Sequence, residues 1–260
     1  MAGERPALRL IRRGFPERPA FGTAVSEAIM TRVAAGELPA TLRVHRPRRE
    51  LAFSKQDRAA PGFAAAVRAA RAEGFEPVVR LAGGRAALFH EGTLAFAWST
   101  PAPMPTRTTH ERFALFAGVI ERALGRLGVD ARIGEIPGEY CPGAWSVNAR
   151  GAVKLAGIGQ RIVSGAAHLG GVLVVSDSEL VRRTLEPVYA ALELEWDPTT
   201  AGAVEDEAPG VTLDDAEAAV LAELGELFAL TEGELDERTL SLAEEGESQH
   251  LAEPGAAALR

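Results

Sequence analysis

Cysteine is almost absent from this chain: Cys141 is the single one in 260 residues. That excludes an intrachain disulfide framework and a cysteine-rich zinc site, and it sets the expected compartment as a reducing cytosol. Long apolar runs are missing too. No stretch approaches the roughly 18 residues of a membrane span, and the opening MAGERPALRLIRRG has no apolar core of a secretory signal. Neither a membrane nor export is expected. The histidines His45, His90, His110, His168 and His250 show no HxxxH or carboxylate–His spacing, so no metal is expected. Lysine is scarce as well. Among 28 basic residues only Lys55 and Lys154 are lysine, and arginine does not replace a compact, flexible ammonium group.

What is present describes an ordinary globular chain, with 47% hydrophobic and 25% charged residues, enough to bury a sizeable core. The charge is unevenly spread. Residues 205–249 hold 15 acids and one base, Arg238, a net of −14, whereas residues 1–204 carry a net of +6. The expected division is a body over 1–200 and an acidic helical extension over 201–260. A basic body fits an anionic or acidic partner. The acidic stretch reads either as a solvated appendage or as an internal competitor for that partner.

Periodicity places the elements. A helix is expected over 23–35, with Val25, Ile29 and Val33 on one face. Two short strands, LRVHRP (42–47) and ELAFS (50–54), flank the densest basic cluster: Arg43, His45, Arg46, Arg48 and Arg49. A second helix follows over 62–73 and a strand over 77–81. RAALFH (85–90) and TLAFAWS (93–99) read as a hairpin across Glu91-Gly92. Thr108-x-x-Glu111 reads as a capping box opening a long amphipathic helix that ends at Gly128. Strands are expected around RIGEI, over 144–149, over 153–162 and over 167–176. Asp177 caps a helix that Pro187 closes, and Thr212-x-x-Asp215 opens a last one. No internal repeat is visible, and no helix-turn-helix precedes the first helix, so nucleic acid is not expected as a partner. Strand runs interrupted by separate helices give an α+β fold: a mixed, mainly antiparallel sheet flanked by helices.

Cys141 lies in GEYCPGA, an irregular loop. It is either an inert buried thiol or a nucleophile that Gly138, Pro142 and Gly143 present beside backbone N–H groups, as acyl transfer requires. Lys154 sits in a strand opposite the faces of Val153 and Leu155. Its side is either solvent, which makes it a surface lysine, or a cleft, where it could polarise an acyl carbonyl or pair with a phosphate. Arg80-Leu-Ala-Gly83-Gly84-Arg85 is neither a Walker loop nor a dinucleotide fingerprint. The two glycines form a tight turn or a backbone surface that a ligand approaches. Gly157, Gly159 and Gly165 around GIGQR carry the same pair of readings, and His168 is a structural imidazole or a ligand contact.

Together, residues 80–100 and 138–175 resemble the lipoate–protein ligase and octanoyltransferase superfamily, which shares its fold with biotin–protein ligases. RLAGGRAALFHEGTLAF is similar to that family's R-x-x-G-G-x-A…D-x-G-x-L-N segment, with His90 and Ala95 departing from it. KLAGIGQRI is similar to its K-[VIF]-[AS]-G-[SI]-[AS]-Q-R strand. A cysteine followed by Pro-Gly, a dozen residues before that lysine, most closely resembles the thiol-dependent lipoyl and octanoyl amidotransferases. The resemblance implies a thioester formed on Cys141, with Lys154 holding the acyl carbonyl. Substrate contacts would come from Arg80, Gly83, Gly84, Arg85, Gly157, Gln160, Arg161 and His168. It implies no cofactor for a transferase, ATP and Mg for a ligase of the same fold, and acidic lipoyl carriers as partners: the glycine-cleavage H protein and dehydrogenase E2 lipoyl domains. The departures at His90 and Ala95 keep a non-catalytic acyl- or carrier-binding homologue as a third alternative. Arg43–Arg49 would help to dock them, and Lys154 or Arg161 would activate the thiol.

Overall fold

The structure, a computed structural model, describes residues 5–253. Its strands are β1 (Ala7–Ile11), β2 (Thr41–His45), β3 (Glu50–Phe53), β4 (Glu76–Val79), β5 (Ala87–Phe89), β6 (Thr93–Ala102), β7 (Ala131–Ile133), β8 (Val147–Ala149), β9 (Val153–Val163), β10 (Gly165–Val174) and β11 (Ala229–Glu232). The helices are α1 (Pro19–Ala34), α2 (Lys55–Arg58), α3 (Phe63–Ala72), α4 (Thr109–Arg126), α5 (Ser178–Ala191), α6 (Val204–Glu207), α7 (Leu213–Leu227) and α8 (Glu237–Gly246).

Eight strands form one sheet in the order β11-β1-β2-β6-β10-β9-β8-β7. It is antiparallel except where β1 pairs with β2 and β11. A second sheet, β4-β3-β5, stands apart. One core lies where α4 and α7 cover the large sheet, around Phe96, Trp98, Phe116 and Ile120. Another fills the space between the small sheet, α3 and α5, around Phe53, Phe63 and Tyr189. Helix α1 packs on the opposite face of the large sheet, and α8 packs against α1. This is the α+β architecture that the alternating strand patterns predict. Among the described residues no helix is long and apolar enough to cross a membrane.

Four local expectations are corrected. The 85–90 and 93–99 segments are not a hairpin: β5 pairs with β3 in the small sheet, while β6 is central to the large one. His90 turns the chain between them, its Nδ1 accepting from the Gly92 N–H at 3.1 Å. Thr108 makes no capping bond to the start of α4; its hydroxyl accepts from the Arg112 guanidinium instead. Pro187 lies inside α5, because it sits on the exposed face, where a freed carbonyl can bond water. Asp177 does cap that helix, accepting from Leu180 N–H at 3.1 Å.

The fourth correction concerns the basic cluster. Arg43 is 1% exposed and donates to the Gly22 carbonyl, Ser26 Oγ and the Arg13 carbonyl. Arg46 pairs with Asp214 and Glu217, Arg48 with Glu17, and Arg49 lies 3.8 Å from Glu91. Similar pairs join Arg12 to Glu217, Arg18 to Glu244 and Glu247, Arg32 to Asp236, and Arg122 and Arg126 to Glu223. The acidic stretch is therefore no solvated appendage. It folds onto the body, adds β11 to the sheet edge and takes up the positive charge that composition left open.

Candidate active site

Cys141 lies at the wall of a cavity of about 360 Å³. The loop 134–146 delivers it, and Tyr189, Lys154 and the loop's own Glu139 hold that loop in place. Its own backbone is left-handed, at φ 44, a conformation costing a non-glycine residue roughly 1–2 kcal/mol. The Tyr189 hydroxyl, from α5, accepts from the Cys141 N–H at 2.8 Å and donates to the Ala86 carbonyl at 2.9 Å. Lys154 Nζ donates to the Cys141 carbonyl (2.7 Å), the Tyr140 carbonyl (2.9 Å) and Glu139 Oε1 (3.1 Å). The Glu139 carboxylate also accepts from Gly143 N–H, Ser146 Oγ and Ile136 N–H. A buried ion pair so fully bonded is rigid, and removing either partner would strand the other charge.

The sulfur itself meets two donors. The Arg85 N–H points at Sγ from 3.1 Å, and Arg80 Nη2 lies 3.5 Å away. Burial pushes the Cys141 thiol up. The Arg80 guanidinium, the Lys154 ammonium and the two hydrogen bonds outweigh it, so the thiol sits below its ordinary value. Arg80 is anchored by the Gly83 and Arg85 carbonyls (2.8 and 2.7 Å), and the Arg85 side chain by buried Asp57 at 3.4 Å. Gly84 is required here. At φ +101 it is left-handed, and a Cβ would lie 2.7 Å from Arg80 and 2.8 Å from Cys141 Sγ.

A β-bulge settles the face of Lys154. Asn148 pairs with Lys154 but Val147 pairs with Ala156, so residue 155 is skipped. The extra residue shifts the phase of β9 and turns Lys154 to the same side as Gly157 and Gly159. Lys154 Cε is 3.4 Å from where a Gly157 Cβ would be. Lys154 is 1% exposed, not a surface lysine.

Of the expected contact residues, Arg80, Gly83, Gly84, Gly157, Gln160 and His168 line the cavity together with Cys141 and Lys154. Gln160 Oε1 accepts from Arg112 Nε at 2.7 Å, and His168 Nδ1 is 3.1 Å from Ser99 Oγ. Arg85 reaches the sulfur through its backbone only. Arg161 is not among the lining residues, and it is Arg80, with Lys154, that faces the thiol. Gly165 serves the β9–β10 turn at φ +85. The sequence reading missed Glu139, Tyr189, Glu50 and His45 as site residues. Glu139, an acid two positions before the cysteine, could have been found. Tyr189 carries no such signal, since only the packing of α5 brings it there. Among the described residues no cluster of three or more His, Cys, Asp or Glu could share a metal ion.

The lipoyl protein ligase A/B catalytic domain family matches residues 18–224. An octanoyl-GcvH:protein N-octanoyltransferase of Geobacillus kaustophilus is 30% identical over 168 residues, 63% of this chain and 59% of that protein. A protein of the same description from Bacillus velezensis is 27% identical over 78% of this chain and 75% of its own length. The match therefore spans less than two thirds of the first of these relatives. Two solved structures share the fold. A lipoate-protein ligase A bound with ATP has a TM-score of 0.76 at 21% identity, covering 94% of this chain and 95% of that one. A bi-partite lipoate protein ligase from Thermoplasma acidophilum has a TM-score of 0.73 at 19% identity, covering 98% of both chains.

Proposed function

The chain belongs to the lipoyl protein ligase A/B catalytic-domain family, and from that membership we propose that it is an acyltransferase. It moves an octanoyl or lipoyl group through a thioester on Cys141 to, or between, lysines of lipoyl-carrier domains. The observation that carries this reading is the sulfur: a thiol held below its ordinary value by Arg80 and Lys154, at the wall of a cavity wide enough for a medium acyl chain. An ATP-dependent ligase has no use for a thiol whose pKa is drawn down in this way.

In this reading the Cys141 thiolate attacks the carbonyl carbon of the donor's acyl-lysine amide. The carbon–sulfur bond forms, the carbonyl oxygen takes the negative charge, and in this scheme the positive charge of the Lys154 ammonium stabilises it. Collapse breaks the carbon–nitrogen bond, and the donor amine leaves with a proton taken from water, which the acceptor amine gives back in the second half. An acceptor lysine amine then attacks the thioester, loses its proton, and releases Cys141 as thiolate for the next cycle. Lys154 acts first as a positioning residue, since all three of its N–H groups hold the loop and Glu139. Glycine-cleavage H protein and E2 lipoyl domains are the donor and acceptor in this scheme, and no cofactor is consumed. The division into a catalytic body over 1–200 and an extension over 201–260 belongs to the same reading, the extension offsetting the body's charge.

Intact mass spectrometry tests it. After incubation with octanoyl or lipoyl carrier, the wild type gains one acyl mass that hydroxylamine removes, and Cys141→Ala gains none. Undiminished transfer by Cys141→Ala would overturn the scheme. Pyrophosphate release from lipoate and ATP that survives the same substitution would establish the ligase instead.

A further inference from the structure

The family match ends at residue 224, yet the segment beyond it reaches the peptide that carries Arg80. After α8 the chain makes one 3-10 turn, Glu247–His250, and then meets the free edge of β4, where Leu251 bridges antiparallel to Val78. Leu251 packs there with Ala20, Ala52 and Val78. Arg18 pairs with Glu247, and the Arg58 guanidinium donates to the Gln249 carbonyl at 3.4 Å. The segment is a strap that ties the small sheet to α1.

His250 is the buried polar residue of that strap, 5% exposed. Its Nδ1 lies 2.9 Å from the Val79 carbonyl, and its Nε2 lies 3.0 Å from Glu27 Oε2 on α1. A carbonyl oxygen only accepts, so Nδ1 donates to Val79. The hydrogen bond from His250, with Arg161 and Lys55 nearby, draws the Glu27 carboxyl below its ordinary value, and that carboxylate accepts from Nε2. Both bonds run outward from the ring.

The Val79 carbonyl and the Arg80 N–H belong to one planar peptide group. On the β3 side the Arg80 N–H donates to the Phe53 carbonyl at 2.9 Å. His250 holds the same peptide from the opposite edge. Bonded at both ends, the plane resists tilting, and it sets the direction in which the Arg80 side chain leaves the strand. That side chain has little slack. Its Nη2 serves the Gly83 and Arg85 carbonyls and lies 3.5 Å from Cys141 Sγ, while its Nε is buried without a partner.

We propose that His250 is a positioning residue for the thiol: by holding the Val79–Arg80 peptide it keeps the Arg80 guanidinium beside Cys141. The Glu27 bond has a separate duty, anchoring the strap to α1, and it does not touch that peptide. The role rests on Cys141 being the nucleophile of the proposed function.

Two amide variants of the full chain separate the bonds. Counted from Cα, the asparagine amide nitrogen stands where Nδ1 does, and the glutamine amide nitrogen stands where Nε2 does. His250→Asn therefore keeps the Val79 bond, and His250→Gln keeps the Glu27 bond. Iodoacetamide alkylation of Cys141 at pH 7 should run near the wild-type rate in His250→Asn. It should be about 3- to 10-fold slower in His250→Gln and His250→Phe, with the rate–pH profile moved up by about half to one pH unit. On an Arg80→Met background His250→Phe should slow the reaction no further, because the contact it controls is already gone. A purely structural role would make the two amides alike. Equal rates in His250→Asn and His250→Gln, or further slowing on the Arg80→Met background, would overturn the positioning role. Acyl-Cys141 formation from octanoyl carrier reads the transfer separately. Adducts with alkylation indifferent to His250 sink the positioning role and leave the transferase standing; the expected alkylation pattern without adducts does the reverse.

Discussion

Arg80→Met is the sharpest test of how the thiol is activated. The substitution keeps the apolar stem and removes the charge 3.5 Å from Cys141 Sγ. Two unit charges at that separation interact by about 5 kcal/mol at an effective dielectric of about 20. The guanidinium spreads its charge and also serves the Gly83 and Arg85 carbonyls, so a loss of about 1.5–3 kcal/mol in thiolate stabilisation is expected, using the same Coulomb scale. Burial then dominates, and the thiol moves up. Because Cys141 is the sole cysteine, iodoacetamide alkylation reports on it without background. At pH 7 the variant should react about 10- to 100-fold more slowly, and its rate–pH profile should shift to higher pH. Arg80→Lys should fall between, since it keeps the charge and loses the fork. Coincident profiles for wild type and Arg80→Met, with unchanged thermal midpoints, would refute the assignment of Arg80 as the activating group.

Stability should fall in mild acid. His45 and His168 stay neutral when folded, at about 3 and about 4, whereas the unfolded chain binds protons below about 6.5, so each costs about 1.4 kcal/mol per pH unit there. Glu50, at about 7 when folded, has the opposite sign and returns about 1.4 kcal/mol per unit down to about 4.5. Urea unfolding between pH 6.5 and 4.5 should show a net loss near 2 kcal/mol from these three groups, growing to about 5 kcal/mol in Glu50→Gln; equal losses in both proteins would contradict this balance. Tyr189→Phe removes the bridge between Ala86 and Cys141. It should cost about 1–3 kcal/mol and slow thioester formation more than it changes carrier affinity, as pre-steady-state kinetics can separate. Glu139→Gln leaves buried Lys154 without its counter-charge, which should cost about 3–5 kcal/mol in chemical denaturation. A loss below 1 kcal/mol would mean that the pair holds nothing in place.

Helices α3, α4 and α7 were legible in sequence because each buries one stripe and the 3.6-residue period records it, whereas α1 buries residues all round. The long strands β9 and β10 were legible as extended apolar, glycine-bearing runs bounded by turns, though neither alternates in burial. Errors fell where a residue had two physically acceptable partners. Thr108 could cap α4 or accept from Arg112, and the arginine side chain took it. His90 could open a hairpin or a crossover, and only the pairing of β5 with β3 decides. The site divides along the same line. Cys141, Lys154, Arg80 and the Gly83-Gly84 turn stand in recognisable strings, whereas Glu50, His45 and Tyr189 come from β3, β2 and α5 and share no string with the cysteine.

The sequence by itself determined the fold class and marked the one sulfur and two lysines among arginines as candidates, because these follow from residue type and local periodicity. Only the tertiary structure decided what those residues face. A bulge opposite Asn148 turned Lys154 into the cavity, and a guanidinium 61 residues upstream of the thiol became its partner. The acids of residues 205–249 closed over the arginines that composition had left unpaired. Orientation and electrostatic neighbourhood arise from contacts between distant segments, and no pattern within one segment encodes them.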